Sequence, residues 1–177
     1  PGTYVQLEIA DVDSLDPAWS NDTASNQVIL QIYEPLLSYK GSSVTELEPL
    51  IARMVPSREN GLISRDRRTY RFPIRTGVRF HDGTPLTPED VKYSLIRFCL
   101  QDRDGGPSFN LLEPLLGRAS LREGGRVMPD AFKRLDRAIS VRGDEVVVRL
   151  EEPFAPFLSV LAVWSPIVSR AWSAAQG

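Results

Sequence analysis

The 177 residues contain one histidine, one cysteine and two methionines. A lone Cys99 forms no internal disulfide and rules out a four-cysteine zinc site; it reads as a small buried apolar residue. A lone His81 among scattered carboxylates offers no metal-ligand spacing. No apolar run approaches the length of a membrane-spanning helix. Lys and Arg number 21 against 23 Asp and Glu, a formal net charge of −2. Both signs are dispersed, so the basic stripe of a nucleic-acid binder is missing and no nucleic acid partner is expected. No G-x-S-x-G elbow, Walker sequence or G-x-G-x-x-G occurs, and no internal repeat is visible. Composition alone leaves the compartment open.

What is present reads as alternating strands and helices with hairpins. "TYVQLEI" alternates with Val5, Leu7 and Ile9 on one face, a half-buried strand rather than a leader segment. A long polar loop follows, "ADVDSLDPAWSNDTAS". Val28, Ile29, Ile32 and Tyr33 then recur at helical spacing, and Pro35 ends that helix. "LLSY" is a short strand. Gly41 to Thr45 loosens, a candidate domain crossing. Pro49 is expected to open a short helix within "ELEPLIARMVPS", and Asn60-Gly61 marks a turn.

Tyr70 to Arg75 alternates as a strand, with Pro73 placing it near an edge. In the turn "HDGTPL", Gly83 supplies a positive φ. Thr87, Pro88 and Asp90 then form a helix start with cap, first-turn proline and returning carboxylate. Val91, Leu95, Phe98 and Cys99 form the apolar face of that helix. "FNLLEPLLG" is helical in part. "AISV" and "EVVVRL" flank Gly143-Asp144 as a hairpin, which makes Arg142-Gly143-Asp144 a turn rather than an adhesion string. "EEPFAPFLSVLAVW" begins a short helix with prolines, and "RAWSAAQG" follows with no closing element expected. The pattern implies a mixed α/β fold whose sheet is mixed or antiparallel.

His81-Asp82 invites a catalytic reading. Neighbours on extended chain point to opposite sides, so Asp82 does not orient His81, and a general base needs such a partner. Asp82 before Gly83 suits a turn. Asn21-Asp22-Thr23 matches a glycosylation sequon, which carries meaning only in a eukaryotic secreted protein.

Taken whole, "R-x-G-V-x-F-H-D-G" followed by "T-P-L-T-x-E-D-V" and a helix resembles the signature segment of bacterial extracellular solute-binding proteins of the oligopeptide, dipeptide and nickel-binding family, the capture components of ABC importers. "SLDPAWSNDTASNQVILQIYEPLLSY" resembles that family's first loop and helix. "LEPLIARMVPS" is similar to its next segment, with Met54 where an aromatic is usual, and "AISVRGDEVVVRLEEPFAPFLSVLA" to its late hairpin and proline-led helix. Family members are much longer; the likeness is to their N-terminal part.

The resemblance implies a periplasmic-binding-protein-like fold. Residues 1–40 would begin the ligand-binding lobe, 41–164 form an inserted domain, and 165–177 return to the first lobe. It implies capture of a short peptide or other small solute by lobe closure, then delivery to ABC permease subunits. The location implied is periplasmic or extracellular, with the whole protein either free or lipid-anchored; no cofactor and no enzymatic step are implied. The ligand-facing candidates are Trp19, Ser20, Asn21, Asp22 and Thr23, with Phe109 and Trp164 beside them. Two readings stand for Asn21 and Asp22: ligand contact, or cap of the helix that follows. Three rival readings also stand: a regulatory sensor borrowing the fold, a hydrolase using His81, and an interaction module.

Overall fold

The computed structural model describes residues 2, 3, 5 and 10–176. The strand expected over 3–9 therefore lies largely outside the described residues. Helix α1 (Thr23–Ile32) follows the polar loop and ends before Pro35. Strands β1 (Leu37–Tyr39) and β2 (Leu47–Pro49) pair antiparallel, Leu37 opposite Pro49. Residues 41–45 form the tip of this hairpin, closed by the Lys40 N–H donating to the Glu46 carbonyl at 2.9 Å. The helix expected at Pro49 is not formed. The amides there are drawn sideways instead: Leu50 and Ala52 donate to the Leu36 carbonyl, and Arg53 to that of Pro73. Tertiary pairing overrides the local proline signal.

Strand β3 (Thr69–Pro73) buries Tyr70 and Phe72 and exposes Arg71. Helix α2 (Pro88–Gln101) starts where its capping residues place it: Asp90 Oδ2 accepts the Thr87 N–H at 2.9 Å and the Thr87 hydroxyl at 2.6 Å. Val91, Leu95, Phe98 and Cys99 are all buried. Helix α3 (Phe109–Leu116) ends at Gly117, whose φ of +67° suits glycine. A small hairpin, β4 (Arg122–Glu123) and β5 (Arg126–Val127), precedes helix α4 (Ala131–Ala138). No element was expected at α4. Its core-facing residues, Ala131, Leu135 and Ala138, recur at helical spacing, a signal passed over among the charged residues between them.

Strands β6 (Ile139–Arg142) and β7 (Glu145–Arg149) form the expected hairpin. β7 lies between β3 and β6, with Phe72 opposite Val146 and Ile139 opposite Val148. Every named strand pair is antiparallel. Helix α5 (Phe157–Trp164) follows its prolines, and helix α6 (Arg170–Gln176) stands where no closing element was expected. α2 packs across β6, β7 and α4. One apolar cluster runs from Ala18 through Leu37, Phe72, Leu95 and Val146 to Ile167. The chain after α5 crosses back to its beginning: Leu36 N–H donates to the Ser165 hydroxyl at 3.1 Å, and Ile167 N–H to the Glu34 carbonyl at 3.1 Å.

Candidate functional site

The loop before α1 is shaped by its own polar side chains. Asp16 Oδ1 accepts the Ala18 N–H at 2.9 Å, while the Asp16 carbonyl accepts Trp19 and Ser20 N–H, each at 3.0 Å. Asp22 is the N-cap of α1, its Oδ1 accepting the Ser25 N–H at 2.8 Å. The buried Ser20 hydroxyl donates to Asp22 Oδ2 at 3.2 Å. Bonding to Ser25 holds the Asp22 carboxyl below the usual carboxylate range. The Ser25 hydroxyl accepts Asp13 N–H at 2.9 Å, folding the loop over the start of the helix.

Three long-range contacts tie this loop to the far end of α2 and the segment after it. Arg97 Nη1 and Nη2 grip the Asp16 carboxylate at 2.7 and 2.6 Å, a bidentate pair. Burial works to raise the Asp16 carboxyl, but the Arg97 bonds and charge and the Ala18 amide outweigh it, so it sits below its ordinary value. The same pairing pushes Arg97 up, and burial together with the Asp16 charge raises the neighbouring Tyr33 phenol. Arg103 donates from Nε and Nη2 to the Trp19 carbonyl at 3.0 and 2.8 Å. Asn21 Nδ2 donates to the Gly105 carbonyl at 2.8 Å.

Of the residues expected to face a ligand, Trp19 and Asn21 are therefore tied to residues 103–105, while Ser20 bonds to Asp22 and Asp22 to the start of α1. Trp19 is 41% exposed and Phe109, which opens α3 after that segment, 45% exposed. Thr23 is exposed as the first residue of α1, whereas Ser20 is fully buried and presents nothing outward. Trp164 stands apart from the loop: it is half-buried, its ring 6.2 Å from that of Phe98 at the rim of the core. Arg97 and Arg103 had no signal in the sequence. Their partners lie 81 and 84 residues away, and an arginine on a helix flank reads as solvated.

His81 borders an open groove of about 1430 Å³ whose walls include Tyr33, Glu34, Phe80, Arg97 and Trp172. Asp82 is occupied by Thr84: its Oδ1 accepts the Thr84 N–H at 2.9 Å and the hydroxyl at 2.6 Å. These bonds hold its carboxyl below the ordinary value. The segment is a turn, closed by Gly83 at φ +84°. Tyr33 and Glu34 are further candidates for a ligand wall; the sequence showed them only as the end of a helix. Among the described residues no group of three or more His, Cys, Asp or Glu side chains is arranged to hold a metal ion.

Comparison with known proteins gives a consistent result. The family model for bacterial extracellular solute-binding proteins, family 5 (middle region), matches residues 46–176. The probable peptide ABC transporter periplasmic-binding protein y4tO of Sinorhizobium fredii is 30% identical over 166 residues, which is 94% of this chain and 25% of that protein. The glutathione-binding protein GsiB of Escherichia coli K12 is 26% identical over 149 residues, covering 84% of this chain and 23% of its own length. Among solved structures, peptide-bound OppA of Listeria monocytogenes superposes with a TM-score of 0.74 at 20% identity, over 96% of this chain and 31% of that one. The substrate-binding domain of an oligopeptide ABC transporter from Bacillus anthracis superposes with a TM-score of 0.75 at 18% identity, over 97% and 31%. The chain spans about a quarter of the length of the curated relatives it matches.

Proposed function

The chain belongs to family 5 of the bacterial extracellular solute-binding proteins, and from that premise we propose that it supplies part of the substrate-binding component of an ABC importer. The ligand class is a short peptide or a related small solute, captured between closing lobes and passed to permease subunits in the membrane. It acts by reversible binding and not as an enzyme. The setting is periplasmic or extracellular, with the whole protein either free or lipid-anchored. No described helix is long and apolar enough to cross a membrane.

The observation that carries the proposal is the loop from Trp19 to Thr23, held as a formed surface by Arg97, Arg103 and the Gly105 carbonyl while the Trp19 ring stays exposed. A rigid aromatic beside amides and hydroxyls suits a peptide side chain and backbone. Phe109, exposed at the start of α3, is proposed to extend this wall, and Trp164, packed against Phe98 at the rim of the core, is proposed as a separate ligand contact. The proposed division of the chain is 1–40 in the first lobe, 41–164 in an inserted domain and 165–177 returning to the first lobe. The bonds from Leu36 to Ser165 and from Ile167 to Glu34 support the return.

The test uses the whole protein. Native mass spectrometry identifies what co-purifies, and calorimetry with that solute follows for Trp19→Ala, Asp22→Ala and Phe109→Ala. Affinity is expected to fall about tenfold for Trp19→Ala, about 1.4 kcal/mol, with little change in melting temperature. If all three variants melt lower yet bind unchanged, these residues are framework and the assignment is wrong. The 177-residue chain alone is expected to hold peptide no more tightly than about millimolar, about −4 kcal/mol, because one wall leaves much of a ligand wet.

A further inference from the structure

The segment "RDGGPS" after α2 holds a pair of glycines doing different things. Gly105 has a φ of +70°, which favours glycine on conformational grounds. Gly106 has no such need. A Cβ added there would meet Arg103 Cγ at 2.8 Å and the Arg103 carbonyl at 3.0 Å, and the Gly106 N–H donates to that carbonyl at 2.9 Å. The backbone at Gly106 is thus pressed against the stem of Arg103. On its other side that side chain reaches Trp19: Nε and Nη2 donate to the Trp19 carbonyl at 3.0 and 2.8 Å, and the guanidinium carbon lies 4.7 Å from the ring centroid. Its Nη2 is also 4.0 Å from Asp13 Oδ2.

We infer that Arg103 is a positioning residue that presents the exposed Trp19 ring to ligand, and that Gly106 is glycine so that the Arg103 side chain can lie where it does. This rests on the reading of the Trp19 loop as a ligand wall. The guanidinium holds both the backbone and the ring of one residue, so Trp19 is fixed in position and in orientation. Covering one face of the indole leaves the other as the platform for an incoming side chain. A ring already ordered loses less freedom when ligand arrives. Lysine at 103 would keep the charge but lose the planar fork that spans carbonyl and ring together. The Arg97–Asp16 pair, by contrast, holds the loop through a carboxylate three residues before Trp19.

The experiment uses the whole protein labelled with 5-fluorotryptophan, with the Trp19 fluorine resonance assigned by its loss in Trp19→Phe. Arg103→Gln and Gly106→Ala are each expected to move that resonance toward its position in the unfolded protein, with melting temperatures near wild type; Arg103→Lys is expected to move it part of the way. Calorimetry with trialanine and with reduced glutathione accompanies each variant. Affinity for a probe that wild type binds is expected to fall about fivefold in Arg103→Gln and Gly106→Ala, with partial recovery in Arg103→Lys. An unmoved Trp19 resonance in Arg103→Gln overturns the inference, and that variant decides should Gly106→Ala fail to fold. A moved resonance with unchanged affinity upholds Arg103 as what orders Trp19 and overturns its service to ligand, which also sinks the ligand-wall reading. If wild type binds neither probe, the fluorine result alone decides whether Arg103 orders Trp19.

Discussion

Asp90 accepts the backbone N–H of Arg170 at 3.0 Å, across 80 residues of chain. The same carboxylate returns through its other oxygen to Thr87 at the start of α2. Ser94, one turn further along α2, accepts the Val168 N–H at 3.0 Å. Two side chains of one helix therefore hold the segment that crosses back between α5 and α6.

Asp90→Ala removes a helix cap and leaves the Arg170 amide without its acceptor. A lost cap costs about 1 kcal/mol and an unsatisfied partly buried amide about 1–2 kcal/mol more. Urea denaturation is expected to show a loss of about 2–3 kcal/mol, and Asp90→Asn a smaller one because an amide oxygen still accepts. A change below about 0.5 kcal/mol in Asp90→Ala contradicts this account.

The Asp16–Arg97 pair makes stability depend on pH in the acid range. The Asp16 carboxyl is held below its ordinary 3.8 in the folded protein. A depressed carboxyl stabilises above its unfolded pKa, and that contribution is lost as pH falls through the folded value. Arg97→Met is therefore expected to cost about 1–2 kcal/mol near neutrality. The gap between variant and wild type should shrink below about pH 4 and close as Asp16 protonates. A gap that stays constant from pH 7 to pH 2 would falsify the charge-pair explanation.

Gly83→Ala isolates a backbone effect. The residue sits at φ +84°, and a Cβ there meets nothing within 4 Å. The cost is conformational, about 1 kcal/mol, with no packing penalty. Thermal melting that shows a loss above about 3 kcal/mol would mean the turn is packed more tightly than its geometry indicates.

Cys99 is fully buried, and burial pushes its thiol pKa up, away from the reactive thiolate. Peptide mass spectrometry after brief treatment with a thiol reagent at pH 8 is expected to find Cys99 unmodified. Modification should rise in step with the unfolding curve in denaturant.

His81→Gln is expected to leave ligand affinity of the whole protein within tenfold of wild type. Asp82, its neighbour, bonds to Thr84, so no dyad exists to lose. A larger loss at an unchanged melting temperature would give His81 a direct role in the groove it borders.

What could be read from the sequence follows the range of the forces involved. The start of α2 was legible because cap, proline and returning carboxylate lie within four consecutive residues, Thr87 to Asp90. The β6–β7 hairpin was legible because Gly143-Asp144 interrupts two apolar runs. Pro49 misled because its local signal favours a helix start, while the amides after it are claimed by Leu36 and Pro73. α4 went unread although Ala131, Leu135 and Ala138 recur at helical spacing, because charged residues fill most of the positions between them. In the candidate site, the Trp19 loop stood out by its length and polarity. Its anchors at Arg97 and Arg103 did not, because nothing near either residue reports a partner more than 80 positions away.

The bond between Leu36 and Ser165 has a consequence for how the molecule is made. Its two residues are separated by 129 positions. At roughly 5–20 residues per second, a ribosome needs roughly 6–26 s to deliver the second after the first. Throughout that interval the Leu36 amide, buried in the finished protein, has no Ser165 hydroxyl to meet, and Ile167 has not arrived to bond Glu34. The hairpin of β6 and β7 emerges and can close within that wait, on a loop of two residues. The segment around Leu36 thus precedes the hairpin in the chain, yet its bonds can be completed only after Ser165 and Ile167 have been made.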